Sequence, residues 1–158
     1  MSDYTGPGMY EIIPYNAQNM SLNVWGGATK AGTQVKLYER SPKAQNTHFE
    51  FVAAGGEKAK PENGAREYHI IGANTGLYLA MNDSGNITME LRPPLNLSIR
   101  WRISHAGNGA FYINSADTKK AVQLNVRGAG KTSGTELITY QYATAENVWF
   151  ILKKAWEE

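Results

Sequence analysis

The feature that most constrains this chain is a segment that occurs twice, 102 positions apart. Leu22-Asn23-Val24-Trp25-Gly26 is matched by Leu124-Asn125-Val126-Arg127-Gly128, and the correspondence runs without a gap from Leu22–Tyr38 to Leu124–Tyr140. Self-similarity at a fixed offset indicates a fold made of repeated units that bury a shared core between them. The chain is therefore expected to consist of structural repeats.

A third, middle unit keeps the same hydrophobic pattern. The three units open with similar apolar runs, at Tyr10–Ile13, Tyr68–Ile71 and Phe111–Asn114. They close with candidate last strands at Phe49–Phe51, Trp101–Ile103 and Trp149–Ile151, whose aromatic residues Phe49, Trp101 and Trp149 we expect in the core. The repeats are predicted at about residues 8–53, 66–105 and 109–152 of a single domain that spans 1–158.

The short apolar runs predict an all-β protein. They are rich in Val, Ile, Tyr, Phe and Trp and are bounded by Gly, Pro, Asn and Ser, a pattern typical of strands and turns. About four strands in each of three pseudo-symmetric repeats can close into a barrel with a hairpin cap, which leaves few free strand edges. This architecture is the β-trefoil. The segment 53–65, rich in Gly, Lys, Glu and Pro, interrupts the period and is predicted to be an exposed loop.

Composition excludes several classes of function. The 16 basic and 14 acidic residues are spread along the chain, so no basic stripe is available for nucleic acid. The absence of cysteine excludes disulfides and thiolate sites, and His48, His69 and His105 lack metal-ligand spacing. We therefore predict no cofactor and no metal. The polar N-terminus and the lack of a long apolar segment predict no membrane span and no secretion signal.

Three sequence patterns resemble the ricin-B-type, or QxW, lectin repeat in its cysteine-free fungal form. They are Leu-Asn-Val-x-Gly, Gly-Thr-x-(Val/Leu)-x-x-Tyr and a closing Asn-x-x-(Phe/Trp). The opening Gly8–Tyr15, followed by Ser21–Trp25, is most similar to the Sclerotinia sclerotiorum agglutinin group of fungal lectins. The resemblance implies a cytoplasmic, often dimeric protein that binds terminal galactose or N-acetylgalactosamine, without metal or catalysis.

Two departures from that family pattern concern the candidate site. Asn23 and Asn125 stand where the wider family typically has an aspartate that accepts hydrogen bonds from the sugar, although the agglutinin group shares the asparagine. The glutamine-containing closing motif has degenerated. In its place the chain has Asn46-Thr47-His48-Phe49, Ser98-Ile99-Arg100-Trp101 and Glu146-Asn147-Val148-Trp149.

The first repeat contains the residue types that a pyranose requires. A sugar presents hydroxyls around an apolar C–H face, so its site needs polar side chains for the rim and an aromatic ring for the face. The predicted site consists of Asn23, Trp25, Gly26, Tyr38, Arg40 and Asn46. The asparagine amides supply donors and acceptors, Tyr38 or Trp25 the flat surface, Gly26 an accessible N–H and Arg40 a charge-assisted hydrogen bond.

The third repeat predicts a second, weaker site. It retains Asn125, Arg127, Gly128 and Tyr140, and Asn147 follows one position out of register after a deletion. The middle repeat has Ala80 in place of the asparagine and is interpreted as structural only.

Competing interpretations remain open at this stage. Asn23 and Asn125 can each satisfy turn backbone instead of a ligand. A β-trefoil protease inhibitor acting through a loop near residues 53–66, with Lys58, Lys60 and Arg66, is the alternative function. Trp156, in the charged tail, can support a dimer contact or a ligand equally well. Catalysis by a pair such as Glu39 and Glu50 is the least supported of these interpretations.

Overall fold

The computed structural model describes residues 2–56 and 66–155 and contains twelve β-strands in that part of the chain. They are β1 Gly8–Pro14, β2 Met20–Val24, β3 Val35–Glu39, β4 Phe49–Ala53, β5 Glu67–Gly72, β6 Tyr78–Met81, β7 Ile87–Glu90, β8 Trp101–Gly107, β9 Ala110–Ser115, β10 Val122–Val126, β11 Leu137–Gln141 and β12 Phe150–Lys154. Short 3-10 turns lie at Trp25–Gly27, Gln45–Thr47, Leu97–Ile99, Arg127–Ala129 and Glu146–Val148. No helical segment of this part has the length and apolarity needed to cross a membrane.

Six strands close into a barrel. Each is antiparallel to both neighbours around the circle β1–β4–β5–β8–β9–β12 and back to β1. The closing pair aligns Ile13 with Ile151, and the next pair aligns Tyr10 with Phe49. Every barrel strand is therefore paired on both sides, and each repeat contributes its first and last strand.

The two middle strands of each repeat form a hairpin that caps the barrel. The hairpins are β2–β3, β6–β7 and β10–β11. Single bridges join them in a ring, between Gln34 and Thr88, Lys36 and Glu136, and Asn86 and Ile138. A six-stranded barrel with three capping hairpins confirms the predicted β-trefoil.

The core follows the strand alternation expected from the sequence. In β3, Val35 and Leu37 are buried, whereas Tyr38 is 48% exposed, as the period-2 pattern predicts. Leu22 and Leu124, at equivalent positions of β2 and β10, are completely buried. The shared core therefore lies inside the barrel and beneath the hairpins, and the candidate site lies outside it.

The prediction that Trp149 lies in the core was wrong. Phe49 and Trp101 are completely buried, but Trp149 is only half-buried. Its ring packs against that of Tyr15, with centroids 5.2 Å apart, and Phe150 occupies the core position instead. The 3-10 turn ends one residue before Trp149, so the aromatic that begins the closing strand is Phe150. The closing motif of the third repeat is therefore Asn147-Val148-Trp149-Phe150.

A buried ion pair joins the ends of the segment between the first two repeats. Arg100 Nε donates to Glu67 Oε1 at 2.7 Å, and both side chains are buried. The same guanidinium donates to the backbone carbonyls of Ala54, Gly55 and Pro94. Arg100 therefore fixes the chain just before and just after residues 57–65, which lie outside the described residues.

Candidate functional site

The first repeat encloses a cavity of about 490 Å³. It is lined by Asn23, Trp25, Gly26, Tyr38, Ser41, Ala44 and Asn46. Five of these seven residues belong to the predicted site. The strand end of β2, the outer face of β3 and the 3-10 turn at Gln45–Thr47 bring them together. A cavity of this size lies in the range that proteins use for small ligands.

Two asparagines form the polar floor of the cavity. Asn46 Nδ2 donates to Asn23 Oδ1 at 3.2 Å and to the backbone oxygen of Val24 at 3.2 Å. Both hydrogens of that amide nitrogen are thereby used. Among the described residues, no partner is found for Asn46 Oδ1 or for Asn23 Nδ2. The floor therefore offers one acceptor and one donor group, side by side, to a ligand.

Two aromatic rings form the apolar wall. Trp25 is 36% exposed, and its ring meets that of Tyr38 edge-on, with centroids 6.1 Å apart. Large rings that remain partly exposed beside polar groups can cover the apolar face of a ligand. The wall and the asparagine floor together provide the two surfaces that a pyranose requires.

Gly26 contributes through its backbone conformation. Its φ angle of +67° lies in the left-handed region, and Gly128 of the third repeat has φ of +60°. Apart from its two chain neighbours, a Cβ atom on Gly26 would meet no other protein atom within 4 Å. The turn after β2 therefore favours glycine at this position, and the approach of a ligand to its backbone N–H stays a prediction.

Arg40 does not line the cavity. Its guanidinium binds both carboxylate oxygens of Glu11, at 3.0 and 2.8 Å, and Glu11 is only 2% exposed. The hydrogen bond that Arg40 donates to Glu11 raises the pKa of the Arg40 guanidinium. The side chain therefore ties the end of β3 to barrel strand β1 and anchors the segment that begins at Ser41. The structure therefore gives Arg40 a supporting role beside the cavity and not the direct ligand contact that the sequence predicted.

Replacement of Arg40 by methionine tests that role. We expect the free energy of unfolding to fall by about 1–3 kcal/mol, because a buried carboxylate loses a partner that is itself partly exposed. Urea denaturation measures this loss. The control is Arg127→Met, which breaks the exposed pair of Arg127 with Glu136 and should cost about 0.5 kcal/mol or less. Equal losses in the two variants would contradict the assignment.

The third repeat reproduces the asparagine floor. Asn147 Nδ2 donates to Asn125 Oδ1 at 3.4 Å and to the Val126 backbone oxygen at 3.1 Å. The deletion that shifts Asn147 in the sequence is absorbed before the 3-10 turn at Glu146–Val148, so the two repeats agree in space. Arg127 takes the place of Trp25 and pairs with Glu136 at 3.0 Å. Tyr140, the counterpart of Tyr38, is 60% exposed.

The middle repeat fills the equivalent position with an arginine. Arg92 Nη1 donates to the Met81 backbone oxygen at 3.1 Å and to Ser98 Oγ at 2.8 Å, while Nη2 donates to Asn82 Oδ1 at 2.7 Å. Met81 and Ser98 correspond to Val24 and Asn46 of the first repeat. The guanidinium thus replaces the asparagine amide, and the purely structural role of this repeat stays a prediction.

Three further residues of the first site were missed by the sequence reasoning. Ser41 and Ala44 form the lip of the cavity, in a loop that carries no repeated motif. Asn74, from the β5–β6 turn of the next repeat, approaches the Gly27 backbone oxygen at 3.5 Å. Asn16 Nδ2 makes the equivalent hydrogen bond to the Ala129 backbone oxygen at 3.2 Å. Because the first repeat follows the third around the barrel, a turn of the next repeat supports each of these two sites.

Three further features considered in the sequence are a metal site, the inhibitor loop and Trp156. Within residues 2–56 and 66–155, no three His, Asp or Glu side chains cluster where they could hold a metal ion. The loop of the inhibitor hypothesis is described only at Ala53–Gly56 and Arg66, so Lys58 and Lys60 lie outside the described residues. Trp156 lies outside them as well.

Comparison with known proteins bears on the geometry described above. An agglutinin of Sclerotinia sclerotiorum is 29% identical over 150 residues, which cover 91% of this chain and 94% of the relative. A designed threefold-symmetric protein, ThreeFoil, superposes with a TM-score of 0.77 at 20% identity, over 92% of this chain and 97% of its own. The Macrolepiota procera ricin B-like lectin, solved with lactose, gives 0.72 at 16% identity, over 97% and 99%.

These two structural neighbours support the fold, whereas the match to a family model also identifies the family. The model of the ricin-type β-trefoil lectin domain-like family matches residues 45–140, more than half of the chain. The match includes Asn46 of the first site and Asn125 and Tyr140 of the third repeat. The chain therefore belongs to the ricin-type β-trefoil lectin domain-like family, a family of carbohydrate-binding lectins.

Proposed function

We propose that this lectin binds terminal galactose or N-acetylgalactosamine in the cavity of the first repeat, without catalysis. The observation that carries the proposal is the asparagine pair at the foot of an aromatic wall. Asn46 Oδ1 is an open acceptor, Asn23 Nδ2 is an open donor, and Trp25 and Tyr38 stand beside them. The lactose in the Macrolepiota procera lectin supports a galactose-containing ligand in a fold of this kind.

The asparagine floor can discriminate between sugar isomers. A hydroxyl can donate to Asn46 Oδ1 while it or its neighbour accepts from Asn23 Nδ2. Galactose and glucose differ only in the orientation of one hydroxyl. A site that pairs with the axial group leaves its own polar atoms unpaired when the isomer enters, which costs affinity. Selectivity for galactose would therefore reside in these two amides.

The third repeat is proposed as a secondary site. It keeps the asparagine pair but exchanges the tryptophan for Arg127, so its ligand can stack only on Tyr140. Shallow sugar sites bind weakly one at a time, so cross-linking of cells requires several sites. A cytoplasmic homodimer that combines the first and third sites of two chains is the proposed working form.

Affinity chromatography tests the proposed function. We expect the protein to be retained on a galactose or N-acetylgalactosamine column and to be eluted by the free sugar. A glucose column serves as the control for the axial hydroxyl. If the protein binds no glycan on an array but blocks trypsin or papain, the lectin proposal is lost and the inhibitor alternative replaces it.

Binding of a neutral sugar should be almost independent of pH. The lining residues contain no carboxyl, imidazole or amino group, which are the groups that ordinarily change charge between about pH 5 and about pH 8. We expect the dissociation constant for galactose to change by less than about twofold over that range, measured by calorimetry. A steep loss of affinity near pH 5 would show that a carboxylate contacts the sugar.

A further inference from the structure

The cavity of the first repeat is electrically neutral, but a cation lies at its rim. Lys36 of β3 is directly opposite Asn23 of β2 in the strand pair. Opposite residues of an antiparallel pair project from the same face, with Cβ atoms about 4.5–5.5 Å apart. The ammonium then lies over the ring of Trp25, with Nζ 5.0 Å from the ring centroid. Lys36 is not one of the lining residues, so its ammonium borders the cavity at the aromatic wall, and this border is called the rim.

The charge of Lys36 is not compensated within the described residues. Lys36 takes part in no ion pair there. Glu136, its bridge partner in the cap, directs its carboxylate to Arg127 at 3.0 Å and to Gln34 at 3.4 Å. In the lip, Lys43 adds a second exposed positive charge. Glu39 follows Tyr38 in the strand and so projects to the opposite face.

The other two repeats lack this cation. In the third repeat, the residue opposite Asn125 is Ile138, and in the middle repeat Thr88 stands opposite Ala80. A lysine opposite the floor asparagine, without an ion-pair partner among the described residues, is therefore a property of the first site and not of the repeat.

We infer that the first site prefers galactose-type sugars that carry an anionic substituent, a sulfate ester or a carboxylate, and that Lys36 determines this preference. The inference rests on the proposed function of the same site. A neutral cavity neither repels nor pairs with such a group, and an ammonium beside the ring-stacking wall attracts it. The cavity of about 490 Å³ leaves room for a substituent beside the sugar ring.

Competition binding tests the inference. Galactose, galactose 3-sulfate, galactose 6-sulfate and galacturonic acid are compared at low salt, in an Asn147→Ala background that isolates the first site. We expect at least one anionic sugar to bind roughly twofold to fivefold more tightly than galactose. The advantage should shrink at about 0.5 M salt, because the rim is exposed to solvent. The sulfate and carboxylate arms show which group is preferred.

Three variants at two lysine positions assign the effect. Lys36→Ile introduces the residue of the third repeat and should bring the ratio of anionic to neutral affinity to about one. Lys36→Arg should retain the preference. Lys153→Ile, an exposed strand residue of β12, is the matched control and should leave the ratio unchanged.

The two proposals fail in different ways. If galactose itself is not bound, the proposed function is wrong. If galactose is bound but no anionic sugar binds more tightly, the inference is overturned and the function stands. The inference is also overturned if Lys36→Ile leaves the preference intact.

Discussion

Asn46→Ala is expected to weaken galactose binding about tenfold to a hundredfold. The substitution removes the open acceptor Oδ1 and leaves the Asn23 side-chain oxygen and the Val24 carbonyl without their donor. Each unpaired buried polar group costs about 1–3 kcal/mol, and the orientation of Asn23 is lost as well. Isothermal titration with galactose measures the change, and thermal unfolding verifies that the variant is folded.

Asn147→Ala is the matched control, because Asn147 makes the same two hydrogen bonds in the third repeat. It should change the affinity for galactose little, since the first site dominates. Equal losses in both variants would show that the two sites contribute equally. Asn46→Asp sharpens the test, because it keeps the size of the side chain but places an oxygen against the two acceptors. We expect it to lose binding as Asn46→Ala does.

Glu67→Ala is expected to lower the free energy of unfolding by about 3–5 kcal/mol. It would leave the guanidinium of Arg100, which is completely buried, without its counter-charge. Removal of one member of a buried pair is costly because the remaining charge stays out of water. Urea denaturation monitored by tryptophan fluorescence gives the midpoint and the slope.

An exposed ion pair provides the control for this effect. Lys120 and Asp83 are 3.0 Å apart, but both side chains are largely in water. Lys120→Ala should therefore change the free energy of unfolding by about 0.5 kcal/mol or less. A loss for Glu67→Ala as small as that for Lys120→Ala would show that Arg100 finds sufficient partners in the backbone carbonyls alone.

The fold was accessible from the sequence because its determinants are local and repeated. Alternation in β3 placed Leu37 in the core and Tyr38 at the surface, and the repeated segment paired Asn23 with Asn125. These predictions depend on strand periodicity and on self-similarity, both of which are visible in a single chain.

Other features were not accessible because they depend on contacts between distant segments. The pairing of Arg40 with Glu11 joins a hairpin to a barrel strand 29 positions away, so the sequence suggested a ligand contact instead. Trp149 looked like the closing core aromatic because a one-residue deletion hides the true register, which only the 3-10 turn before Phe150 reveals. The position of Lys36 opposite Asn23 depends on the register between β2 and β3, which the sequence analysis did not assign.

Under the proposed function, the side chain that donates to the backbone carbonyl at the end of the first hairpin strand determines whether a repeat can hold a glycan. In all three repeats a side chain donates to this carbonyl, from Asn46 to Val24, from Arg92 to Met81 and from Asn147 to Val126. Construction of a third site from Ala80→Asn and Ser98→Asn alone would therefore fail, because the guanidinium of Arg92 already donates to the Met81 carbonyl that the new asparagine needs as its acceptor. A trivalent variant requires an exchange of Arg92 as well, and its gain in avidity would depend on that third substitution.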